Sequence, residues 1–380
     1  MSPKASHSEK NTILNTILLT GFPCYLARRV GLEILQTRPR AHIYLLHGAG
    51  EAAARVEPVL SVLTPEQRAR VTPLEGDVSF MDLGLPSEQY RRLVEEVTEI
   101  QHLACRYHPQ GSLGLLRRVN VNGTREVLEL ASQCQRLRRM VHWSTVQVSG
   151  GRRGVVLEDE LECGQRFRSA WEQTRFEAER LVRRAARKLP VTVLRLGVVV
   201  GDSDTGELGI YEGPYRLITS FVQARREQPV LLPGDGTAPV HLVPVDFAVR
   251  AGCHLSTDKS AVGKTFHIVD PSPLPANSVY QVIARKAHRK PMPQVLPRAL
   301  SRLFRFSPRV QQLAPFPVAP VDLFDSMVFY NCQNTLTHLA GTQLVCPPFD
   351  SYAERLVKYI NETDELRRAR AEDQFADPLA

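Results

Sequence analysis

The first 200 residues alternate short apolar, β-branched runs with helical patterns, and this alternation limits the fold more than any other feature of the sequence. The runs predicted as strands are Thr16–Leu19, His42–Leu46, Val71–Leu74, Ile100–Ala104, Met140–Trp143 and Val191–Val200. The segments predicted as helices between them are Tyr25–Leu35, Ala52–Leu63, Ser87–Val97, Asn122–Gln135 and Trp171–Arg187. Strands that alternate with helices form parallel βαβ units. The sequence therefore predicts an α/β fold with a doubly wound parallel sheet.

The pattern changes after Gly201, where glycine and proline become frequent and the predicted strands become short. These short strands are Val230–Leu232, His241–Pro244 and Thr265–Val269. A last helix is predicted at Tyr352–Ile360, before a charged tail that we expect to fray. We therefore expect one domain over residues 12–270, with insertions after about residue 201 that begin a smaller substrate or lid lobe. A C-terminal helical lobe over 271–365 and flexible tails at 1–11 and 366–380 complete this division.

Composition indicates a soluble globular chain, because 43% of the residues are hydrophobic and 23% are charged. No run reaches the ~18 apolar residues of a membrane-spanning helix, and the polar N-terminus lacks the apolar core of a signal peptide. The seven cysteines are scattered without a CxxC pair, which is typical of reduced thiols and predicts a cytoplasmic location. The histidines show no metal-ligand spacing, so we expect no metal site.

The net charge of +8 does not by itself identify a partner. Zinc-finger spacing, RNA-binding signatures and a lysine-rich tail are all missing from the sequence, so we expect no nucleic-acid binding. Residues 297–311 combine arginines at a spacing of about four with apolar side chains. This segment is interpreted as a lid helix on the smaller lobe. Peripheral contact with a membrane, or with a partner protein, remains the alternative.

The first predicted strand ends in a turn, Thr20–Ala27, that reads TGFPCYLA. A strand, a glycine and a helix start in this order can hold a pyrophosphate, because the helix N–H groups face its charge. Only the first of three expected glycines is present, at Gly21, and Cys24 and Ala27 occupy the other two positions. The candidate cofactor-binding residues of this turn are Thr20, Gly21, Cys24, Leu26 and Ala27.

Further motifs follow in the order found in one superfamily. They are Gly76–Asp77, His102–Ala104, Asn120–Thr124, His142–Thr145, Trp171–Glu179, Leu194–Gly201 and Val243–Asp246. Together with the first turn they resemble the extended short-chain dehydrogenase/reductases, and within them the fatty acyl-CoA reductase and thioester reductase branch with its male-sterility-type NAD-binding domain. The resemblance covers roughly Asn15–Asp270. It implies a Rossmann-type sheet and NADP or NAD as the cofactor.

The resemblance also implies cofactor contacts outside the first turn. His47 follows the second strand, where the branch usually carries an arginine that reads the 2′-phosphate of NADP. Gly76 and Asp77 match the residues at the adenine end, and Ala104 and Asn120 lie in the two motifs that come next.

The catalytic motif departs from the family pattern at its two central positions. Thr145 stands where the family has its substrate-orienting hydroxyl, Trp171 where it has the tyrosine acid–base, and Arg175 where it has the lysine that holds the nicotinamide ribose. An indole N–H donates but has no accessible conjugate base, so Trp171 cannot replace a phenol in proton transfer. We expect Trp171 to fill the vacated pocket, although a stacking platform is an alternative. Arg175 is interpreted as a phosphate contact or as an ordinary charge on a helix face.

Two smaller expectations concern single sites. Cys24 lies at a helix start, where a thiol can become reactive, but an inert small residue is the simpler interpretation. The run Glu158–Glu160 is typical of a solvated loop.

Three functions remain open on this basis. The first is a degenerate reductase-like protein that acts by binding a small-molecule ligand, a nucleotide or a protein partner. The second is an active NAD(P)(H)-dependent reductase or dehydrogenase of an acyl thioester, aldehyde or sugar-like substrate, protonated by water, by Thr145 or by a residue outside the motif. The third is a membrane-surface or scaffold protein. The resemblance also implies that the chain can form a homodimer.

Overall fold

The computed structural model describes residues 15–107, 112–209, 231–233, 235–289, 294–296 and 326–376, which form both strands and helices. The first strands are β1 (Asn15–Phe22), β2 (Ala41–His47), β3 (Val71–Glu75), β4 (Glu99–His102), β5 (Arg139–Thr145), β6 (Gly154–Val156), β7 (Val191–Leu196) and β8 (Val198–Val200). The later ones are β9 (Leu231–Pro233), β10 (Pro239–Val240), β11 (Leu242–Pro244), β12 (Thr265–Ile268), β13 (Leu274–Pro275), β14 (Gln294–Leu296) and β15 (Val328–Tyr330).

The helices connect these strands along the chain. In the first half they are α1 (Tyr25–Thr37), α2 (Glu51–Ala54), α3 (Val56–Leu60), α4 (Pro65–Arg68), α5 (Ser87–Glu96), α6 (Leu113–Arg117) and α7 (Gly123–Gln133). In the second half they are α8 (Ala170–Ala185), α9 (Val245–Thr257), α10 (Ala276–Lys286), α11 (Gln333–Leu339) and α12 (Phe349–Ala376). A π-helical turn at Arg118–Asn122 joins α6 to α7, and a 3₁₀ turn at Val146–Ser149 follows β5.

Seven strands form the main sheet, in the order β12-β7-β5-β4-β1-β2-β3, and every pairing in it is parallel. The doubly wound α/β fold predicted from the sequence is therefore confirmed. The chain reverses its direction of winding at β1, which pairs with β2 on one side and with β4 on the other. In such sheets ligands bind in the crevice beyond the carboxyl ends of the strands at this reversal. We call the crevice beyond β1, β4 and β5 the switch-point cleft.

Both faces of the sheet are covered, and this explains why its strands read as continuous apolar runs rather than as alternating patterns. In β1 the five residues from Thr16 to Thr20 are all buried. One apolar cluster packs α1 and α9 against one face of the sheet, and a second packs α5, α7 and α8 against the other. The site residues at the carboxyl edge therefore stand on a rigid base.

The predicted strand Val191–Val200 is divided in two, because Gly197 separates β7 from β8. A Cβ atom on Gly197 would lie 2.8 Å from the carbonyl oxygen of His241, so the chain needs a glycine where these backbones approach. After this break β8 leaves the main sheet and pairs with β11. Apart from β12, the short strands that follow pair outside the main sheet, and the division into a main domain and a smaller lobe stays a prediction.

The last helix is longer than the sequence pattern indicated, since α12 continues to Ala376 instead of ending at Ile360. The residues beyond Ile360 are rich in glutamate, arginine and alanine, which favour helix, so this segment is helical where we expected a frayed tail. Its first turns pack with α10 in a separate apolar cluster that forms the core of the smaller lobe. The amphipathic segment 297–311 lies outside the described residues. Among those that are described, no helix is long and apolar enough to span a membrane.

Candidate functional site

The turn after β1 brings the backbone of Gly21 against the end of β4. Gly21 has a φ of +88°, and a Cβ atom there would lie 2.8 Å from the nitrogen of Ala104 and 2.9 Å from the carbonyl carbon of Leu103. Both the conformation and the close approach require glycine. The first glycine of the motif therefore has a structural reason independent of any ligand.

A buried chain of hydrogen bonds runs beneath this turn. Thr20 Oγ1 lies 2.9 Å from His102 Nδ1, and His102 Nε2 lies 3.0 Å from Thr124 Oγ1. Thr20 accepts a bond from the N–H of Ala104, and Thr124 donates to the carbonyl oxygen of Asn120. Because Thr124 gives its hydroxyl proton to Asn120, its oxygen must accept the bond from His102, so the imidazole proton is assigned to Nε2. Burial lowers the pKa of His102 to about 3, so this histidine is a neutral structural link and not an acid–base group.

Helix α1 begins directly after this turn, with Cys24 as its N-cap. In the part of the chain that the structure describes, no side chain caps the first N–H groups of α1, and such groups can bind an anion such as a pyrophosphate. The Cys24 side chain is exposed beside them, while Ala27 is buried and Leu26 is half-buried. Both the inert and the reactive interpretation of the exposed Cys24 thiol therefore stay predictions.

On the other side of β1, the ends of β2 and β3 form the part of the edge that the resemblance assigns to adenosine. His47 is the last residue of β2, not the residue after it, and its Nδ1 lies 3.0 Å from the carbonyl oxygen of Gly48. Gly76 donates its N–H to the carbonyl oxygen of His47 at 2.9 Å. Asp77 is exposed, and its Oδ1 accepts a hydrogen bond from the N–H of Ser79 at 2.8 Å.

Asn120 ties the loop after β4 to helix α8. Its Oδ1 accepts from the N–H of Arg106 at 2.7 Å, and its Nδ2 donates to the carbonyl oxygen of Arg106 at 3.2 Å and to Thr174 Oγ1 at 3.0 Å. Thr174 in turn donates to the carbonyl oxygen of Trp171. The amide of Asn120 is thus fully engaged with protein, which makes it a brace for the cleft.

The three positions of the catalytic motif lie on β5 and α8. Thr145 ends β5 and is 9% exposed, and its Oγ1 accepts a hydrogen bond from the N–H of Gln147 at 3.3 Å, which leaves the hydroxyl proton unassigned. Trp171 is the second residue of α8 and is half-buried. Its Nε1 is buried and has no hydrogen-bond partner among the described residues, and its ring meets the ring of Tyr107 edge-on at 5.1 Å. An aromatic pair therefore occupies the place of the family's phenol.

Arg175 points into the core, and the expectation of an ordinary charge on a helix face is wrong. The residue is 3% exposed, its Nη2 donates to the carbonyl oxygen of Trp143, and its Nε has no partner. No carboxylate forms an ion pair with it among the residues that the structure describes. The neighbouring His142 has both ring nitrogens buried without partners, and its pKa is lowered by burial and by the Arg175 charge.

The glutamate of the same motif has a different and clearly structural environment. Glu179 is fully buried and accepts hydrogen bonds from the guanidinium of Arg195, at 2.7 Å from Nη2, and from Ser144 Oγ at 2.6 Å. Because of the Arg195 and Arg183 charges, the pKa of Glu179 is lowered in spite of its burial. Glu179 joins α8 to β5 and β7, and so fixes the helix that carries the motif.

The carboxyl edge therefore brings together most of the positions taken from the sequence. The N–H groups of α1 are donors, the turn at Gly21 leaves its backbone open, and the exposed Asp77 carboxylate is an acceptor, so the residues present fit a dinucleotide. Sequence reasoning missed Tyr107 as a member of the site. The sequence signal that could have identified Tyr107 is its position five residues after the end of β4, in a loop at the carboxyl edge of the sheet. No cluster of histidine, cysteine and carboxylate side chains suited to a metal occurs in the described ranges.

Comparison with known proteins agrees with this geometry. The family model described as Male sterility protein, an NAD-binding domain, matches residues 19–252. The glycine betaine reductase ATRR of Emericella nidulans is 29% identical over 71% of this chain and 22% of that protein. The fatty acyl-CoA reductase wat of Drosophila melanogaster is 26% identical over 62% of this chain and 52% of that protein. The chain thus spans between a fifth and about half of the length of these two relatives.

A solved structure is similar over nearly the whole chain. The terminal R domain from the myxalamid PKS-NRPS biosynthetic pathway superposes with a TM-score of 0.77 and 28% identity, over 93% of this chain and 92% of that one. The matched family model covers more than half of the chain, from the end of β1 to α9. The chain therefore belongs to the male-sterility-type NAD-binding family of extended short-chain dehydrogenase/reductases, in its thioester reductase branch.

Proposed function

We propose that this protein binds a nicotinamide dinucleotide in the switch-point cleft but has lost the tyrosine–lysine chemistry of its family, and that it acts by binding. The observation that carries the proposal is Trp171, whose indole stands at the phenol position with Nε1 buried and unpartnered. The function of the protein would then be to bind a ligand in the cleft, or to bind a protein partner that recognises the liganded form.

The chemical argument concerns the proton. A bound reduced nicotinamide supplies a hydride, and reduction of a carbonyl also needs a proton at the oxygen. The indole of Trp171 has no accessible conjugate base, so it cannot cycle between donor and acceptor. Arg175 cannot take over the lysine's role in its present position, because it is buried and donates to the carbonyl oxygen of Trp143. Thr145 retains its hydroxyl, but no adjacent base activates it among the described residues.

The case for dinucleotide binding is separate and rests on the first turn. Gly21 keeps its left-handed conformation, and the first N–H groups of α1 have no side-chain cap. The side chain of Cys24 narrows this turn but leaves the backbone N–H donors of α1 in place. A protein that only binds a dinucleotide needs this turn and does not need the tyrosine that protonates the substrate.

A thermal-shift series with NAD⁺, NADH, NADP⁺ and NADPH tests the binding. A ligand at ~100 times its Kd adds ~2.7 kcal/mol to the folded state, which raises Tm by several degrees. The variant Cys24→Phe should abolish the shift by filling the turn after β1. Cys163→Phe, at another exposed cysteine outside the cleft, is the matched control and should keep the shift. No shift with any of the four dinucleotides, under a cooperative melt, would contradict the proposal.

One observation favours a second candidate, a working reductase of an acyl thioester or aldehyde in which Tyr107 supplies the proton. The Tyr107 ring lies 5.1 Å from that of Trp171, and Asn120 holds the adjacent backbone of Arg106. In this mechanism a bound reduced nicotinamide would supply the hydride, the Tyr107 phenol would give its proton to the carbonyl oxygen, and water would restore the proton of the phenol. With a thioester, the hemithioacetal so formed would release the thiol and leave an aldehyde.

Consumption of NADH or NADPH with long-chain acyl-CoA and with decanal separates the two candidates. The binding proposal predicts no turnover above the uncatalysed rate for the wild type. Turnover by the wild type that is lost in Tyr107→Phe, and kept in the control Tyr90→Phe on α5, would establish the reductase instead.

A further inference from the structure

We infer that the switch-point cleft selects NAD(H) over NADP(H), an inference that rests on the dinucleotide binding proposed above. In folds of this type the groups at the end of the second strand face the adenosine ribose and decide between its 2′-hydroxyl and a 2′-phosphate. The phosphate needs cationic donors at this place, whereas the hydroxyl donates to a carboxylate. The charges around the end of β2 are therefore decisive.

The last residue of β2 offers no permanent cation. His47 is buried and lies against the carbonyl oxygen of Gly48 through Nδ1. A guanidinium would present a charged fork of donors that matches a phosphate, and an imidazole lacks both the fork and the fixed charge. His47 thus gives no attraction specific to the 2′-phosphate.

Carboxylates surround the same strand end. Glu75 is the register partner of His47 on β3 and is exposed, and Asp77 follows it two residues later. Glu51 begins α2, four residues after His47, with a side chain that is 92% exposed. Because Glu51 is paired with Arg55, the uncompensated charge comes from Glu75 and Asp77, which repel a phosphate group of charge about −2 but can accept a hydrogen bond from a ribose hydroxyl.

Among the described residues, one arginine near this edge is ion-paired and another keeps its charge while it contacts an aromatic ring. Arg55 lies one turn after Glu51 and forms an ion pair with it at 3.3 Å. Arg118, on the π-helical turn, lies over the ring of Phe80 at 4.9 Å. The carboxylates of Glu75 and Asp77 have no ion pair with any residue in the described part of the chain, so the balance of charge at this edge is negative.

Direct titration of the wild-type protein with NADH and with NADPH at low ionic strength tests the inference. We expect NADH to bind at least ~10-fold more tightly, with the ratio shrinking as salt screens the exposed carboxylates. Glu51→Lys, at an exposed position that the fold tolerates, should shift the ratio toward NADPH by about tenfold. His47→Arg should shift it in the same direction.

The matched control is Glu95→Lys, which makes the same charge change near the end of α5, next to the amino end of β4 and hence at the opposite edge of the sheet. This variant should leave the ratio unchanged. Equal or tighter binding of NADPH by the wild type would overturn the inference while leaving dinucleotide binding intact. An identical change of the NADH-to-NADPH affinity ratio in Glu51→Lys and in Glu95→Lys would also overturn the inference and leave dinucleotide binding intact. Failure of both dinucleotides to bind would overturn the inference and the proposed function together.

Discussion

Two arginines buried to the same extent near the same helix should respond in opposite ways to the same substitution. Arg175 is 3% exposed and Arg195 is 1% exposed. Arg195 is paired with the buried Glu179, whereas the carbonyl oxygen of Trp143 is the only hydrogen-bond partner of Arg175 among the described residues. Methionine removes the charge in each case and keeps most of the side-chain volume. The comparison of Arg175→Met with Arg195→Met therefore isolates the effect of the counter-charge.

The expected loss for Arg195→Met follows from what the variant leaves behind. Glu179 is fully buried and would keep only Ser144 and the half-exposed Arg183. Breaking a buried ion pair by removing one partner costs about 3–5 kcal/mol. At roughly 2–4 °C per kcal/mol for a domain of this size, Tm should fall by about 10 °C.

The expected change for Arg175→Met is near zero or stabilising. The variant loses one charge-assisted hydrogen bond, worth about 1.5–3 kcal/mol. It also removes the desolvation cost of an unpaired buried cation, which is several kcal/mol. The free energy of unfolding should therefore lie between about 1 kcal/mol below the wild-type value and about 2 kcal/mol above it.

Equilibrium unfolding in urea at pH 7, followed by far-ultraviolet circular dichroism, measures both changes. Equal m-values in the three proteins are needed for the comparison, because they show that the unfolding transition itself is the same. A loss of 3 kcal/mol or more in Arg175→Met, equal to that of Arg195→Met, would refute the reasoning and would mean that Arg175 has a counter-charge in solution.

Two further predictions concern the core and the first turn. Burial lowers the pKa of His102 and of His267 to about 3, and it also lowers the pKa of His142. In the unfolded chain the pKa of a histidine is ~6.5. Below pH ~6.5 the unfolded state therefore takes up protons that the folded state excludes. The free energy of unfolding should therefore fall as pH is lowered from 6.5, by up to ~1.4 kcal/mol per pH unit for each histidine. Urea unfolding at pH 7.5, 6.5 and 5.5 measures this change. A free energy of unfolding that does not depend on pH would contradict it. Gly21→Ala should lower the melting temperature and remove dinucleotide binding, because the Cβ of the new alanine would lie 2.8 Å from the nitrogen of Ala104. A variant that melts and binds like the wild type would contradict this close approach.

The sheet was predictable because its strands are buried on both faces and read as apolar runs of the correct length. The order of the motifs implied a Rossmann-type sheet through the resemblance, and the strand pairings then located the winding reversal at β1. The division of Val191–Val200 was not predictable from periodicity, since it depends on the carbonyl oxygen of His241, which approaches Gly197 from a different part of the chain. Long-range approaches of this kind leave no local signal beyond the glycine itself.

Charged residues were the hardest to interpret, because a charge gives the same signal in the sequence whether it is solvated or buried. Glu158 was expected in a solvated loop, yet it is 3% exposed and accepts hydrogen bonds from the N–H groups of His267 and Asn334. Arg175 is a second case, because two acids near it in the sequence, Glu172 and Glu179, pair with Arg168 and Arg195 instead. In both cases the environment comes from elements far along the chain.

The same contacts determine what it would take to restore the family's chemistry. Trp171→Tyr alone supplies a phenol with a pKa near ~10 and no lysine beside it, because Arg175 stays bound to the carbonyl oxygen of Trp143. Arg175→Lys alone supplies the cation without an acid. We therefore expect carbonyl reduction only from the double variant Trp171→Tyr/Arg175→Lys, measured as NADH or NADPH consumption with decanal. Its dependence on Thr145 is checked by adding Thr145→Val, which should remove the gained rate. Equal activity in Trp171→Tyr alone would contradict the requirement for both changes.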